Sequence, residues 1–360
     1  MWPYWMLFLV SASVALVRMR PLRAVDGLAV SRRIGLWAPV WLGLTLMIGL
    51  RHEVGGDWFT YADNVARMTG DTLSDAMRTG DPAFQFLNWL GANGWGGEYF
   101  INFVCAALFS WGLAVFCRAQ PRPWLALVVA VPYLIVVVAM GYTREGVAIG
   151  FEMLGLTALM QGSVRRFVFW VIVGATFHKS AVLLIPLAVF SGGKHRVLTV
   201  LGVLFTAALT YVFLLQEAVD SLVQNYIDQQ YDSSGALVRV AMNALPALLF
   251  LIYRKRFRLT PAQLGFWTWM ALAAVGFLVL LKLSPSSTAI DRVALYWIPL
   301  QLFVWSRVPD VLGRRGQRNG VWVAAIVAYS AVVLFVWLVF GTFSSHWLPY
   351  QFYPLVWLGR

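Results

Sequence analysis

The sequence predicts an all-α fold, a polytopic transmembrane helical bundle of about 12 segments, each near the ~20 residues needed to cross a bilayer. Three observations carry this prediction. The chain is 60% hydrophobic and only 12% charged, whereas a soluble domain is about a quarter charged. Its apolar residues fall in long runs. Between those runs, short loops alternate in charge sign as the positive-inside rule requires. Residues 1–360 read as a single integral membrane domain, with no internal repeat, low-complexity tract or separate soluble unit.

The first run, 3–17, follows Met1-Trp2-Pro3-Tyr4-Trp5 and has no basic residue before it. A cleaved signal peptide has its positive residues first, so this run reads as a retained helix with its N-terminus outside. The loop 18–33 carries Arg18, Arg20, Arg23, Arg32 and Arg33 against Asp26 and is expected in the cytoplasm. The second run is 34–50. Segment 51–99 follows with Glu53, Asp57, Asp63, Asp71, Asp75, Asp81 and Glu98 against three arginines, so it is expected outside. It is too long for a plain loop. Trp58, Tyr61, Val65 and Met68 share one helical face, and so do Phe84, Leu87 and Leu90. Asp81-Pro82 has the form of an N-cap with proline at the first helical position. Two short helices lying on the membrane are expected here, ending in a flexible Gly91–Gly97 stretch.

The later runs are 100–117, 123–140, 143–160, 166–190, 197–214, 236–253, 262–282, 289–306 and 321–341. Arg118 and Arg122, Arg165 and Arg166, Arg254 to Arg258, and Arg307 to Arg318 mark cytoplasmic loops. Segment 215–235 is acidic, through Glu217, Asp220, Asp228 and Asp232, and is expected outside. A single crossing by 166–190 would reverse the sign of every later loop. Two short helices broken at Thr176-Phe177-His178-Lys179-Ser180 restore parity. Half-helices of this kind are tolerated where they line a polar cavity. Both termini then lie outside. Cys105 and Cys117 share one helix, roughly 18 Å apart at ~1.5 Å per residue, too far for a disulfide.

The net charge of +12 does not indicate nucleic acid, because the basic residues sit in short loops and not in one stripe or tail. Arg51, Asp57, Arg144, Glu145, His178, Lys179, Arg239, Lys282, Asp291 and Arg292 stand at the ends of apolar runs, and threading brings those ends to one face. Charge near hydrocarbon is costly and marks function by default. A polar, anionic substrate is expected there.

Arginine is suited to phosphate, because its planar fork gives paired hydrogen bonds and keeps its charge. In Arg51-His-Glu-Val-Gly55-Gly56-Asp57, the glycines allow close backbone approach. The alternative is that Arg51 anchors at the interface and Asp57 caps a helix. Arg144-Glu145 opens a helix, with Glu152 seven residues on along the same face; an ion pair stapling helices is the alternative there. His178 sits at the proposed break, where imidazole can take a proton from a hydroxyl. Asp291-Arg292, with Tyr296 four residues on, and Arg239 open further helices, although an Asp-Arg pair can satisfy itself. The Trp347–Tyr353 segment is expected to form an aromatic belt. No Asp-x-Asp pair, phosphate-cradling Gly-rich loop, His-Glu-x-x-His or Gly-x-Ser-x-Gly occurs, so no cytoplasmic nucleotide site, metal or cofactor is called for.

At these residues the chain resembles the EpsG family of exopolysaccharide polymerases, relatives in role of the Wzy O-antigen and capsule polymerases. The likeness is carried by Arg51 with Val54-Gly55-Gly56-Asp57 and Tyr61, by Asp81-Pro82-Ala83-Phe84 to Asn88, by Phe177-His178-Lys179-Ser180-Ala181, and by Arg292 with Tyr296. Arg144-Glu145 stands where the family has Arg-Gln. The resemblance implies a metal-independent glycosyltransferase at the periplasmic face of the bacterial inner membrane, joining undecaprenyl-diphosphate-linked oligosaccharide repeats for exopolysaccharide, capsule or O-antigen. Flippase and chain-length regulator proteins are its implied partners. In this reading Arg51, Arg144, Arg239 and Arg292 bind the diphosphate. His178, Glu145 and Asp57 are catalytic, with His178 or Glu145 suited as base, and Tyr61, Lys179 and Tyr296 contact glycan. The rival readings are a lipid-linked-oligosaccharide flippase, which calls for polar residues on both sides of the midplane, and a membrane O-acyltransferase, which calls for a cytoplasmic acyl-donor path.

Overall fold

The structure, a computed structural model, describes residues 1–21, 37–78, 80–191, 201, 235–284 and 287–358. The regular secondary structure of these residues is helical, apart from one isolated bridge between Arg51 and Phe352. Helix α1 (Trp2–Val17) and α2 (Trp37–Gly49) lead into three short helices: α3 (Trp58–Arg67), α4 (Leu73–Ala76) and α5 (Pro82–Ala92). Then come α6 (Gly97–Ala119), α7 (Pro123–Ala130), α8 (Thr143–Met160) and α9 (Val164–Ala175). After residue 234 follow α10 (Ala236–Tyr253), α11 (Pro261–Leu283), α12 (Ser287–Ala294), α13 (Ile298–Trp305), α14 (Val308–Leu312), α15 (Gly320–Phe340) and α16 (Tyr353–Leu358). The expected run 197–214, apart from residue 201, and the acidic segment 215–235, apart from residue 235, lie outside the described residues.

Among the described residues, four helices are long and apolar enough to cross a membrane: Gly97–Ala119, Ala236–Phe257, Pro261–Leu283 and Gly320–Phe340. Trp2–Val17, Trp37–Gly49, Pro123–Ala139 and Lys179–Val189 are apolar but shorter. Proline shapes the interruptions, since it removes a backbone donor and crowds the carbonyl four residues back. Pro132 sits at the start of a π-helical stretch, Val131–Ala139, which continues α7. Pro299 follows a 3-10 turn, Leu295–Trp297, between α12 and α13.

The break expected within 166–190 is present. Helix α9 ends at Ala175, and a 3-10 helix, Lys179–Ser191, with Pro186 inside it, follows. Glycines set the packing beside it: Gly174 lies against the Ala148 backbone and Gly155 against Phe167. The turn at His178 is thereby brought level with the first turn of α8.

Segment 51–99 departs from the expected pair of membrane-lying helices. It forms three helices, and Tyr61, Val65 and Phe84 bury in one cluster with Ile101, Cys105, Val147 and Phe151 of α6 and α8. The apolar faces legible in the sequence close over the bundle. Both free cysteines are buried in α6.

The Trp347–Tyr353 segment is also not a plain aromatic belt. Trp347 is buried, its indole Nε1–H donates to Val136 O at 2.6 Å, and its carbonyl accepts from Tyr4 Oη at 2.7 Å. Tyr350 Oη donates to Met47 O at 2.7 Å. Gly55 N donates to His346 O, His52 N to Gln351 O, and Tyr353 N to Leu50 O. The chain's last strap thus ties residues 50–55 to the bundle.

Candidate active site

Helices α8, α10 and α12 begin at one end of the bundle, where α9 turns and residues 51–57 cross. This end carries the site. Glu145, in the first turn of α8, is buried, and its Oε1 accepts from Arg292 Nη1 at 2.9 Å. His178 Nε2 lies 3.5 Å from the same oxygen. On the other side of the ring, His178 Nδ1 is 3.0 Å from Tyr296 Oη. Arg292, Glu145, His178 and Tyr296 therefore form one continuous chain drawn from α12, α8, the α9 turn and the 3-10 turn after α12. The Arg292 guanidinium also lies over the Tyr142 ring, 4.2 Å from its centroid.

A second group centres on Asp81, which sequence reasoning left as a helix cap. Asp81 does occupy the N-cap position of α5, but its carboxylate does not cap that helix. It accepts instead from Arg144 Nη1 at 3.0 Å and from the Lys179 backbone N–H at 3.1 Å. Asp81 thus ties α5 to both α8 and the broken helix. The residues before Pro82 carried only a local signal, whereas both partners lie more than sixty positions away.

Between these groups opens a polar pocket of about 260 Å³, lined by Asp57, Tyr61, Asp81, Arg144, Arg292 and Asn88 among others. Asp57 also stands in an N-cap position without capping. Its Oδ2 accepts only a long bond, 3.4 Å, from Tyr61 Oη. Burial, together with the nearby Glu145 charge, raises the Asp57 carboxyl above its ordinary range. Burial likewise raises the Tyr61 phenol. The pocket is walled by two guanidiniums, each bonded to a carboxylate (Arg144 to Asp81, Arg292 to Glu145), and by the weakly bonded carboxylate of Asp57, groups that can bond an anionic oxygen and accept a proton beside it.

Several sequence-based roles need correction. Arg51 is 1% exposed. Its Nε donates to Val54 O, Nη1 to Ile48 O, and Nη2 to both Asn102 Oδ1 and Thr143 Oγ1. Burial draws its pKa down to about 10, which still leaves it charged. A guanidinium engaged this way has little left for a diphosphate, and it instead fixes the turn of 51–57 against α6 and α8. Tyr296 is also 1% exposed, so it supports His178 from below and cannot stack on a sugar. Lys179 and Lys282 do not line the pocket. Arg239 lies outside it too, in a paired bond with Asp291: Nε to Oδ1 at 2.8 Å and Nη2 to Oδ2 at 2.7 Å.

The expectation that charge gathers on one side is corrected as well. At the opposite ends of the α7 and α12–α13 helices, Arg122 makes two 3.0 Å bonds to Asp310, with both side chains 2% exposed. Arg307 donates to Gln120 nearby. The two ends differ in closure. Arg122 and Asp310 are further bonded to backbone at Gln317, Arg318 and Gly316, while Arg144 and Arg292 face a cavity.

A family model described as EpsG family matches residues 36–352 of this chain. No curated protein matches it, and no solved structure does.

Proposed function

The chain belongs to the EpsG family, a multi-pass membrane family with a polysaccharide-polymerase-like role, and from that premise we propose that it joins lipid-diphosphate-linked oligosaccharide repeats. The supporting observation is the polar pocket whose wall carries Arg144, Arg292 and Asp57. The donor is a growing glycan on undecaprenyl diphosphate. A hydroxyl oxygen of the acceptor, a new lipid-linked repeat, attacks the donor's anomeric carbon. The bond from that carbon to the phosphate oxygen breaks, and the lipid diphosphate leaves. Arg144 and Arg292 stabilise the charge that develops on it.

Asp57 takes the hydroxyl proton in this reading, because it lies in the pocket wall and its raised pKa brings it nearer the working pH. His178 and Glu145 act as positioning residues that hold Arg292. Tyr61 lies beside the acceptor glycan. The pocket end of the bundle faces the periplasm, the full chain crosses the inner membrane in about twelve segments with both termini outside, and no metal or cofactor takes part. Flippase and chain-length regulator proteins are the expected partners.

The test is purified protein in detergent, mixed with lipid-linked repeats and read as a product ladder. Arg144→Lys and Arg292→Lys should each lower polymer yield at least ~10-fold, about 1.4 kcal/mol of barrier, since lysine cannot make paired contacts with diphosphate. Unchanged ladders from both variants at equal folded yield would overturn the assignment of these arginines.

A further inference from the structure

The two short helices that wall the polar pocket carry the same pattern. Their N-cap positions are Asp57 on α3 and Asp81 on α5. Four residues on stand Tyr61 and Gln85, and seven residues on stand Asn64 and Asn88; all six line the pocket. Positions i, i+4 and i+7 share one helical face. Each stripe begins near Arg144, which bonds Asp81 and whose charge reaches Asp57. From there each runs roughly 10 Å at ~1.5 Å per residue. The pocket is therefore charged at one end and lined by neutral amides at the other. The cations in its wall, Arg144 and Arg292, belong to the charged end, where they bond Asp81 and Glu145.

The amide end holds an unmet acceptor. Asn88 is 1% exposed. Its Nδ2 donates to Gln85 Oε1 at 2.9 Å, while its Oδ1 is buried with no hydrogen-bond partner among the described residues. Buried polar atoms are ordinarily paired, and an unpaired one carries its full desolvation cost. Gln85 Nε2 lies against Gly80, where a Cβ would come within 2.8 Å of it. Gly80 has φ +83° and also lines the pocket, so this glycine both makes the turn and leaves room for the amide. The bonded pair thus has an acceptor, Asn88 Oδ1, as one outer pole and a donor, Gln85 Nε2, as the other.

We infer that the amide end of the pocket seats a neutral sugar ring, the one joined directly to the diphosphate, and holds it by a vicinal diol. The inference rests on the reading of the substrate proposed above. One hydroxyl donates to Asn88 Oδ1, and its neighbour accepts from Gln85 Nε2. An acidic sugar would set an anionic oxygen against Oδ1 with no cation at that end to offset it. An apolar group would leave Oδ1 unpaired. The cavity's volume of about 260 Å³ falls below the ~300–1,000 Å³ of sites that enclose drug-sized ligands. It admits one sugar and not a whole repeat, so recognition falls on the sugar at the junction.

The experiment uses the full chain in detergent and radiolabelled lipid-linked repeats extracted from cells that make the protein. Half of the repeats are oxidised with periodate and reduced with borohydride, which cleaves vicinal diols and spares the diphosphate. The parent should bind intact repeats at least ~10-fold more tightly than oxidised ones, the worth of two neutral hydrogen bonds. Asn88→Leu replaces the unmet acceptor with an apolar group of similar size; Gln85→Met removes the donor from a half-buried position. Each should lower that ratio at least ~3-fold, the worth of one such bond, and bind bare polyprenyl diphosphate as the parent does. If Asn88→Leu does not fold, Gln85→Met decides alone. A ratio near one in the parent, or an unchanged ratio in the folded variants, overturns the inference. Parent protein that builds a product ladder while showing no preference for intact diols also overturns it, and leaves the polymerase reading standing. A preference that the variants lose, in protein that builds no ladder, supports the subsite and removes the polymerase reading.

Discussion

Asp57 and Glu145 are two carboxylates near one pocket, and their surroundings separate them. Glu145 is held by Arg292 and approached by His178. Asp57 has one long bond and a raised pKa, caused by burial first and Glu145 second. The native state therefore holds the Asp57 proton more tightly than the unfolded chain does. Its contribution to stability falls as pH rises from the ordinary carboxyl range through the folded value. Asp57→Asn removes that penalty. Thermal unfolding across pH 4–7 should show the variant as stable as the parent at the acid end and more stable near neutrality, while polymer yield drops by about 10²–10⁴. A variant that polymerises normally would return the base to His178 or Glu145.

At the scale of elements, the Gly55-Gly56 turn is the joint on which the site depends. The sequence reads both glycines as permissive, but the structure uses them differently. Gly55 has φ +111°, and a Cβ there meets Met140 O at 2.2 Å; at Gly56 the nearest atom is an outlying carbon of Trp347 at 3.8 Å. Gly55→Ala combines a left-handed backbone with a steric clash, costing on the order of 1–3 kcal/mol, and should displace Asp57. Gly56→Ala should stay within about 0.5 kcal/mol of the parent. Paired unfolding curves of the two variants decide this, and equal destabilisation would refute the close approach of 51–57 to the α8 entry. The same joint explains Arg51, whose four hydrogen bonds reach Ile48, Val54, Asn102 and Thr143.

Across the whole molecule, buried charge is present at both ends and is managed in two ways. The Arg122–Asp310 pair is closed, with both partners 2% exposed and further bonds to Gln317, Arg318 and Gly316. Removing one partner leaves a buried charge uncompensated, at about 3–5 kcal/mol. Asp310→Ala should therefore lower folded yield sharply in a detergent-stability assay, while the protein that does fold polymerises at the parent rate. Loss of turnover without loss of stability would mean that the far end takes part in chemistry. Charge at both ends also removes the one-sidedness that the sequence offered against a flippase. Closure at one end and a cavity at the other take its place.

Runs of apolar residues, their loop charges and proline positions fixed most helices and the break before His178, because each is a local property that the bilayer reads directly. The grouping of Arg144-Glu145 and Asp291-Arg292 at one end followed from helix parity alone. What each charge touches was decided only by tertiary structure. Asp81 meets Arg144 and Lys179, Arg51 turns inward, Tyr296 sinks beneath His178, and Trp347 inserts beside Gly141. Those outcomes depend on contacts spanning from 51 to 343 positions. No local pattern encodes such partners, because hydrogen-bond satisfaction in a buried site is set by whichever groups the packed helices bring within about 3 Å.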